Sequence, residues 1–303
     1  MPEMPEVAAL AEFLGEHALY KPVTSLEVVA IGALKTFDPP PSALAGRVLT
    51  TVERHGKFLD LTLLSTDAPA HAAKPADTAE LHLVIHLARA GWLRWSEALP
   101  KGVLRPSRKS PAAARLRFAD DSGFTLTEAG TQKRLAVYLV VDPALVPGVA
   151  RLGPDPLADD FSPEVFDGVL NAAGRAQLKG VLTDQMLIAG IGNAYSDEIL
   201  HTAKLSPFKP AAGLTPDERN RLYLAVRSEL TVALDRSRGL AAGDLKAEKK
   251  VGMQVHGRTG ETCPVCGDVV REVSFADKSL QYCATCQTGG KPLADRRLSR
   301  LLK

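Results

Sequence analysis

Apolar positions near the start of the chain fall at helical spacing: Val7, Leu10 and Leu14 of "PEVAALAEFLGEHAL" mark one face of an amphipathic helix. The period then shortens to two. "KFLDLTLL" puts Leu59, Leu61 and Leu63 on one side of a strand, and "LHLVIHL", "WLRW", "RLRF", "FTLT" and "RLAVYLVV" are further β-rich runs separated by turns and Ala/Pro-rich loops. Up to Val141 this predicts a β-sandwich of roughly eight strands with one or two helices attached. Prolines and glycines then crowd Val141 to Leu157, a linker composition. Beyond it the period is helical again. Ser162 ahead of Pro163 is a candidate cap, "TPDE" at 215–218 has capping-box spacing and opens a helix to about Arg238, and "QLKGVLTDQMLIAGIGNAYSDEILHTAKL" reads as two helices broken at "AGIGN", with Asn193 capping the second. The expected class is α+β: a sandwich over 1–141, a linker over 142–157, a helical module over 158–245, a cysteine-bearing module over 246–289 and a basic tail over 290–303.

Composition narrows the surroundings. Of 303 residues, 45% are hydrophobic and 24% charged, ordinary for a globular protein with a sizeable core. No apolar run of about eighteen residues would span a membrane, and "MPEMPEVAAL" lacks the basic start and apolar core of a secretory signal. A cytoplasmic protein is expected. Net charge is only +2, but its distribution is uneven. From Ala241 onward eleven Lys/Arg face seven Asp/Glu, and Leu99 to Arg117 carries six Lys/Arg and no acid. Such stretches suit a phosphate backbone or form a solvated loop. In the tail, Leu298, Leu301 and Leu302 suggest a short amphipathic basic helix.

All four cysteines lie in "CPVCGDVVREVSFADKSLQYCATC". Two C-x-x-C pairs, Cys263/Cys266 and Cys283/Cys286, match a zinc ribbon in which each pair sits at a hairpin tip and four thiolates close a structural site. A redox pair would normally occur once, and disulfides are disfavoured in a reducing compartment. In "IAGIGN", Gly190 and Gly192 allow a tight turn ahead of a helix start, which is either a plain helix–helix turn or a seat for phosphate. His82 and His86 stand four apart on a strand pattern and read as packed or hydrogen-bonded histidines, not a helical metal pair. The opening "MPEMPEV" admits two readings. Pro5 and Glu6 suit helix entry; alternatively, removal of Met1 would expose the secondary amine of Pro2 beside Glu3.

In order along the chain, "PE" after the first methionine, "HGKFLDL", "LGPDPL", "LKGVLTDQMLIAGIGNAYSDEIL", "VHGRTGETCPVCG" and "YCATCQ" resemble the bacterial formamidopyrimidine-DNA glycosylase and endonuclease VIII family, from Pro2 to about Gln287. The resemblance implies an N-terminal β-sandwich, a helix–two-turn–helix module and a zinc ribbon, acting as a monomer on damaged double-stranded DNA held between the two halves. It assigns Pro2 as nucleophile, Glu3 as proton donor, Glu6 as a supporting acid, Lys57 to the first elimination and a phosphate, and Lys179 and Asn193 to phosphates. Arg258 of "VHGR" joins the DNA-binding set. The sequence departs from the family where gap-filling side chains are expected. Arg89 in "HLARAG" stands where a methionine is usual, and "GTQKRLA" keeps charge at Lys133 and Arg134 but puts Leu135 in place of the aromatic wedge. The resemblance also puts Lys278 in the catalytic set: it replaces the zinc-hairpin arginine, keeps one positive charge and loses the bidentate fork, which bears on the second elimination. "GDLKAEKKVGMQVHG" is short for the loop that covers 8-oxoguanine. The lesion is therefore open among oxidised purines, oxidised pyrimidines and abasic sites. Two rivals stand beside the glycosylase/lyase reading: a non-catalytic lesion- or structure-recognising DNA-binding protein of the same fold, and a metal-dependent nuclease.

Overall fold

The computed structural model of the chain describes residues 2–65, 80–105, 111–129, 131–274 and 279–294. Two compact units divide it: Met1–Arg151 with Ser237–Lys246, and Leu152–Arg236 with Ala247–Lys303. No helix among the described residues is long and apolar enough to cross a membrane.

The first unit opens with α1 (Met4–Ala18), which buries Val7, Leu10 and Leu14. Among the described residues eight strands follow: β1 (Val23–Val28), β2 (Val48–His55), β3 (Phe58–Leu64), β4 (Glu80–His86), β5 (Gly91–Ser96), β6 (Ala112–Phe118), β7 (Gly123–Glu128) and β8 (Ala136–Val140). They form two antiparallel four-stranded sheets ordered β1-β6-β7-β5 and β2-β3-β4-β8. Leu59, Leu61 and Leu63 are buried on one face of β3, as their alternation requires. The helix α1 packs on β2 and β3. Two strands escape the sequence pattern. In β1 only Val23 and Leu26 are buried, and β2 carries an irregularity between Leu49 and Thr51 that breaks its alternation.

The Pro/Gly-rich stretch after β8 contains the division between the two units, at Arg151/Leu152, and is anchored at a few points. Asp142 caps a short 3-10 turn by accepting from Ala144 N at 2.8 Å, and Val146 joins Val84 and Val140 in a buried cluster on the outer face of the sheet.

The second unit holds α2 (Pro163–Ala173), α3 (Leu178–Thr183), α4 (Asn193–Thr202), all but the last residue of α5 (Pro216–Ser237), all but the first two residues of α6 (Leu245–Gly252), β9 (Val270–Ser274), β10 (Ser279–Cys283) and α7 (Ala284–Thr288). Ser162 caps α2 through Val165 N. Thr215 and Glu218 exchange both bonds of a capping box at α5. The strands β9 and β10 pair antiparallel from Ser274↔Ser279 to Val270↔Cys283, and α4 packs on β10 and α7. Helical module and ribbon thus share one compact unit, while Ser237–Lys246 joins the first, where Trp92 Nε1 donates to Ala242 O at 2.9 Å.

Candidate functional site

In the first unit the site is built on the entry to α1. Pro2 is buried, and Glu3, 2% exposed, is the N-cap residue. Glu3 N donates to Glu6 Oε2 at 2.7 Å, while the Glu6 backbone N–H donates to the Glu3 side chain. The usual Ser/Thr–Glu box is here made by two carboxylates, both favoured by the positive end of the helix dipole. The reciprocal bonds fix the backbone at Glu3 and so the direction in which Pro2 points.

Lys57 follows Gly56 in a two-residue loop between β2 and β3; Gly56 has φ +55°, which favours glycine. Only 8% of Lys57 is exposed. His86 pairs across from Phe58 and its ring lies 4.6 Å from the Phe58 ring. Burial, then the charge of Lys57, push His86 down to about 4, so a neutral imidazole stands beside this lysine at neutral pH. His86 is thus a packed histidine, as its strand position suggested. His82 is hydrogen-bonded, as expected: Nδ1 to Asp60 Oδ1 at 3.1 Å and Nε2 to Glu80 Oε1 at 3.1 Å.

The two expected gap-filling loops differ in character. Arg89 is exposed on the turn between β4 and β5, where Ala88 takes φ +52°. This turn needs Gly91, because a Cβ there would sit 2.1 Å from Leu87 O. In the other loop Glu128, 4% exposed, accepts from Arg134 N at 2.6 Å and Leu135 N at 2.8 Å, and Lys133 Nζ donates to Glu128 O. The Lys133 and Arg134 side chains are exposed, but Leu135 is 1% exposed. An aliphatic side chain at that place turns into the core, so in this structure Leu135 is no wedge.

In the second unit, Gly190 takes φ +83° and Gln185 braces the turn, accepting from Gly190 N at 2.9 Å and donating to Ile191 O at 2.7 Å. Gly192, not Asn193, is the N-cap of α4. Asn193 is the first helical residue, with its amide committed elsewhere: Nδ2 donates to Ser279 O at 2.8 Å. Lys179 Nζ donates to Asn193 O at 2.7 Å, Ser196 Oγ at 2.7 Å and Asp197 Oδ1 at 2.6 Å. An ammonium has three protons, so a phosphate arriving at Lys179 competes with acceptors already in place. Arg258, half-buried, donates to Glu261 Oε2 at 2.7 Å and Met253 O at 3.1 Å. Lys278 and the leucines of the C-terminal tail lie outside the described residues, as does the centre of the basic stretch 99–117.

The four cysteines converge. Cys266 and Cys283 sulfurs are 3.3 Å apart, Cys263 and Cys286 3.9 Å, and all four sulfurs lie within 4.8 Å of one another. A tetrahedral ion with metal–sulfur bonds of about 2.3 Å needs sulfurs about 3.8 Å apart, so the set fits one zinc ion. Burial pushes the Cys283 thiol up to about 11 and raises Cys286, whereas the Asp268 N–H on Cys266 lowers that thiol. A dication displacing the protons relieves the buried cluster. The first pair lies on the turn before β9. The second is not at a hairpin tip: Cys283 ends β10 and Cys286 lies in α7, a junction held by Gln287 Oε1 accepting from Cys283 N at 2.9 Å.

Sequence comparison matches residues 1–135 to the formamidopyrimidine-DNA glycosylase N-terminal domain, 152–242 to the formamidopyrimidine-DNA glycosylase H2TH domain and 260–289 to a zinc finger found in FPG and IleRS. The formamidopyrimidine-DNA glycosylase of Symbiobacterium thermophilum is 32% identical over 98% of this chain and 93% of its own length; that of Thermus thermophilus is 33% identical over 96% and 100%. An uncharacterized formamidopyrimidine-DNA glycosylase-like protein of Mycobacterium tuberculosis is 59% identical over 52% of this chain and 98% of its own. Among solved structures, the MutM (Fpg) protein of Thermus thermophilus superposes with TM-score 0.75 at 29% identity, covering 96% of this chain and 100% of that one. The Lactococcus lactis Fpg bound to abasic-site DNA shares the fold at TM-score 0.78 and 24% identity, covering 94% and 99%.

Proposed function

Because the chain belongs to the formamidopyrimidine-DNA glycosylase family, we propose that it excises damaged bases from duplex DNA with its N-terminal proline and then cleaves the strand at the resulting site. The observation that carries this reading is the reciprocal Glu3–Glu6 pair directly behind Pro2. Both carboxylates close the helix cap, and removal of Met1 would leave the secondary amine of Pro2 directly beside the buried Glu3, an acid next to a nucleophile.

Once Met1 is removed, the α-amine of Pro2 has an ordinary pKa of about 7.7–8.0, and the helix N-terminus favours its neutral form. The nitrogen attacks the sugar carbon bearing the base, the base departs with the glycosidic electron pair, and Glu3 supplies a proton that opens the sugar. A secondary amine bonded to that carbon gives an iminium ion, an electron sink from which loss of the flanking phosphate proceeds by elimination. Glu6 holds the Glu3 backbone while this happens. Lys57, buried beside His86, is the residue assigned to the phosphate and to the first elimination. The target nucleotide must leave the stack, which costs least at a damaged pair. Arg89, Lys133 and Arg134 are the exposed cations assigned to the opened duplex. Zinc is structural, since all four positions are filled by cysteine.

Borohydride trapping tests the mechanism on duplexes carrying 8-oxoguanine, an oxidised pyrimidine or an abasic site. A covalent adduct on protein lacking Met1, lost in Pro2→Gly and weakened in Glu3→Gln, is the expected result, and the preferred duplex identifies the lesion. DNA binding without any adduct would replace the enzyme with a non-catalytic binder of the same fold.

A further inference from the structure

One face of α4 presents a row of acids and a histidine to the segment that leads into the cysteine cluster. Asp197, Glu198 and His201 fall at i, i+1 and i+4, within one turn, and are 0%, 3% and 2% exposed. Asp197 Oδ2 lies 2.7 Å from His256 Nδ1. Glu198 accepts the backbone N–H groups of Gln254, Val255 and His256 at 2.7, 3.0 and 2.7 Å. Asp197 thus holds a side chain of that segment and Glu198 its backbone. His201 reaches farther along: its Nε2 is 3.3 Å from Cys263 Sγ.

The environment of Cys263 makes that contact consequential. Cys266 is exposed, so water can share the charge of its sulfur. Cys263 is 1% exposed and packs among Val255, Val270 and Cys283. A zinc-bound thiolate carries excess negative charge and no proton. At this buried sulfur a donor must come from the protein, and a hydrogen bond in such low-dielectric surroundings is strong. Because the thiolate can only accept, the ring nitrogen facing it is the donor.

We propose that His201 is a positioning residue for the zinc site, donating Nε2–H to the Cys263 thiolate and thereby fastening the metal centre to α4. The bond withdraws charge from one sulfur, orients it toward the ion, and couples zinc retention to the helix whose first turn carries Asn193. Partners of this outer kind typically change metal affinity about 10–100-fold.

The test uses the full-length, zinc-loaded protein and follows zinc transfer to an excess of chromophoric chelator in the parent, His201→Phe and His201→Gln. A glutamine amide can place an N–H where Nε2 stands; phenylalanine fills the space without a donor. His201→Phe should release zinc about tenfold faster or more, with His201→Gln within about threefold of the parent. Unchanged release in His201→Phe, or equal acceleration in both variants, overturns the proposal, the second outcome showing that ring volume alone matters. Should either variant fail to fold, the parent decides: loaded with cadmium-113, it should show the His201 Nε2 proton in slow exchange and scalar-coupled to the metal. No coupling overturns the assignment.

Discussion

Burial and a neighbouring lysine act on His86 in the same direction, so its stability linkage has a definite sign. In the folded chain it titrates at about 4, below its ordinary 6.5. Between those values the unfolded chain binds more protons, and stability falls as pH drops through the window. A displacement of that size is worth about 3 kcal/mol at most, less for the part of the ring that solvent reaches. Urea unfolding of the parent and His86→Phe at pH 7 and pH 4.5 isolates the contribution, since other groups titrate in both. The parent should lose about 2 kcal/mol more than the variant over that interval; equal losses would show that the imidazole is not the group responsible. Leu135 and Lys179 show what a side chain's place in a pattern leaves out. Leu135 aligns with a wedge but is aliphatic and enters the core. Lys179 aligns with a phosphate contact, yet its protons are directed to Asn193, Ser196 and Asp197.

At the scale of elements, what was legible followed from local rules. Strand alternation located β3 and its buried leucines, capping chemistry located the starts of α2 and α5, and C-x-x-C spacing located the zinc ligands. Contacts between residues far apart in sequence were not legible. Glu198 meets the backbone of 254–256, His256 meets Asp197, and His201 meets Cys263, each across more than fifty residues. No periodicity encodes such pairs, and in a helix all three side chains look like solvated polar positions. Their burial makes α4 the organiser of its unit. Replacing Glu198 by Gln leaves one acceptor oxygen for three backbone N–H donors now shared between two oxygens, and a buried donor left unpaired costs about 1–3 kcal/mol. Amide exchange at Gln254, Val255 and His256 should accelerate by about 10-fold or more, while β3 and β4 amides keep their rates. Acceleration in both places would mean a global loss of stability rather than a released segment.

Across the whole molecule, zinc and the sandwich belong to different compact units, and the chain carries its own reporter of that division. Both tryptophans, Trp92 and Trp95, lie in β5 of the first unit. Trp95 is edge-on to Phe13 at 6.0 Å, and Trp92 is tied to Ala242, which belongs to the same unit. The four-cysteine site is in the second unit, where binding of a structural zinc contributes about 10–16 kcal/mol in comparable small modules. Stripping the metal with a strong chelator should therefore remove helical and ribbon signal in circular dichroism and lower one thermal transition. Tryptophan emission should meanwhile keep its folded wavelength. DNA binding should disappear with the helical signal and return with added zinc but not with magnesium, because four thiolates match the softer ion. Recovery of strand cleavage by magnesium alone would favour the metal-dependent nuclease. A red shift of tryptophan emission in step with the lost helix would show instead that the two units unfold as one, with zinc stabilising the sandwich that carries Pro2.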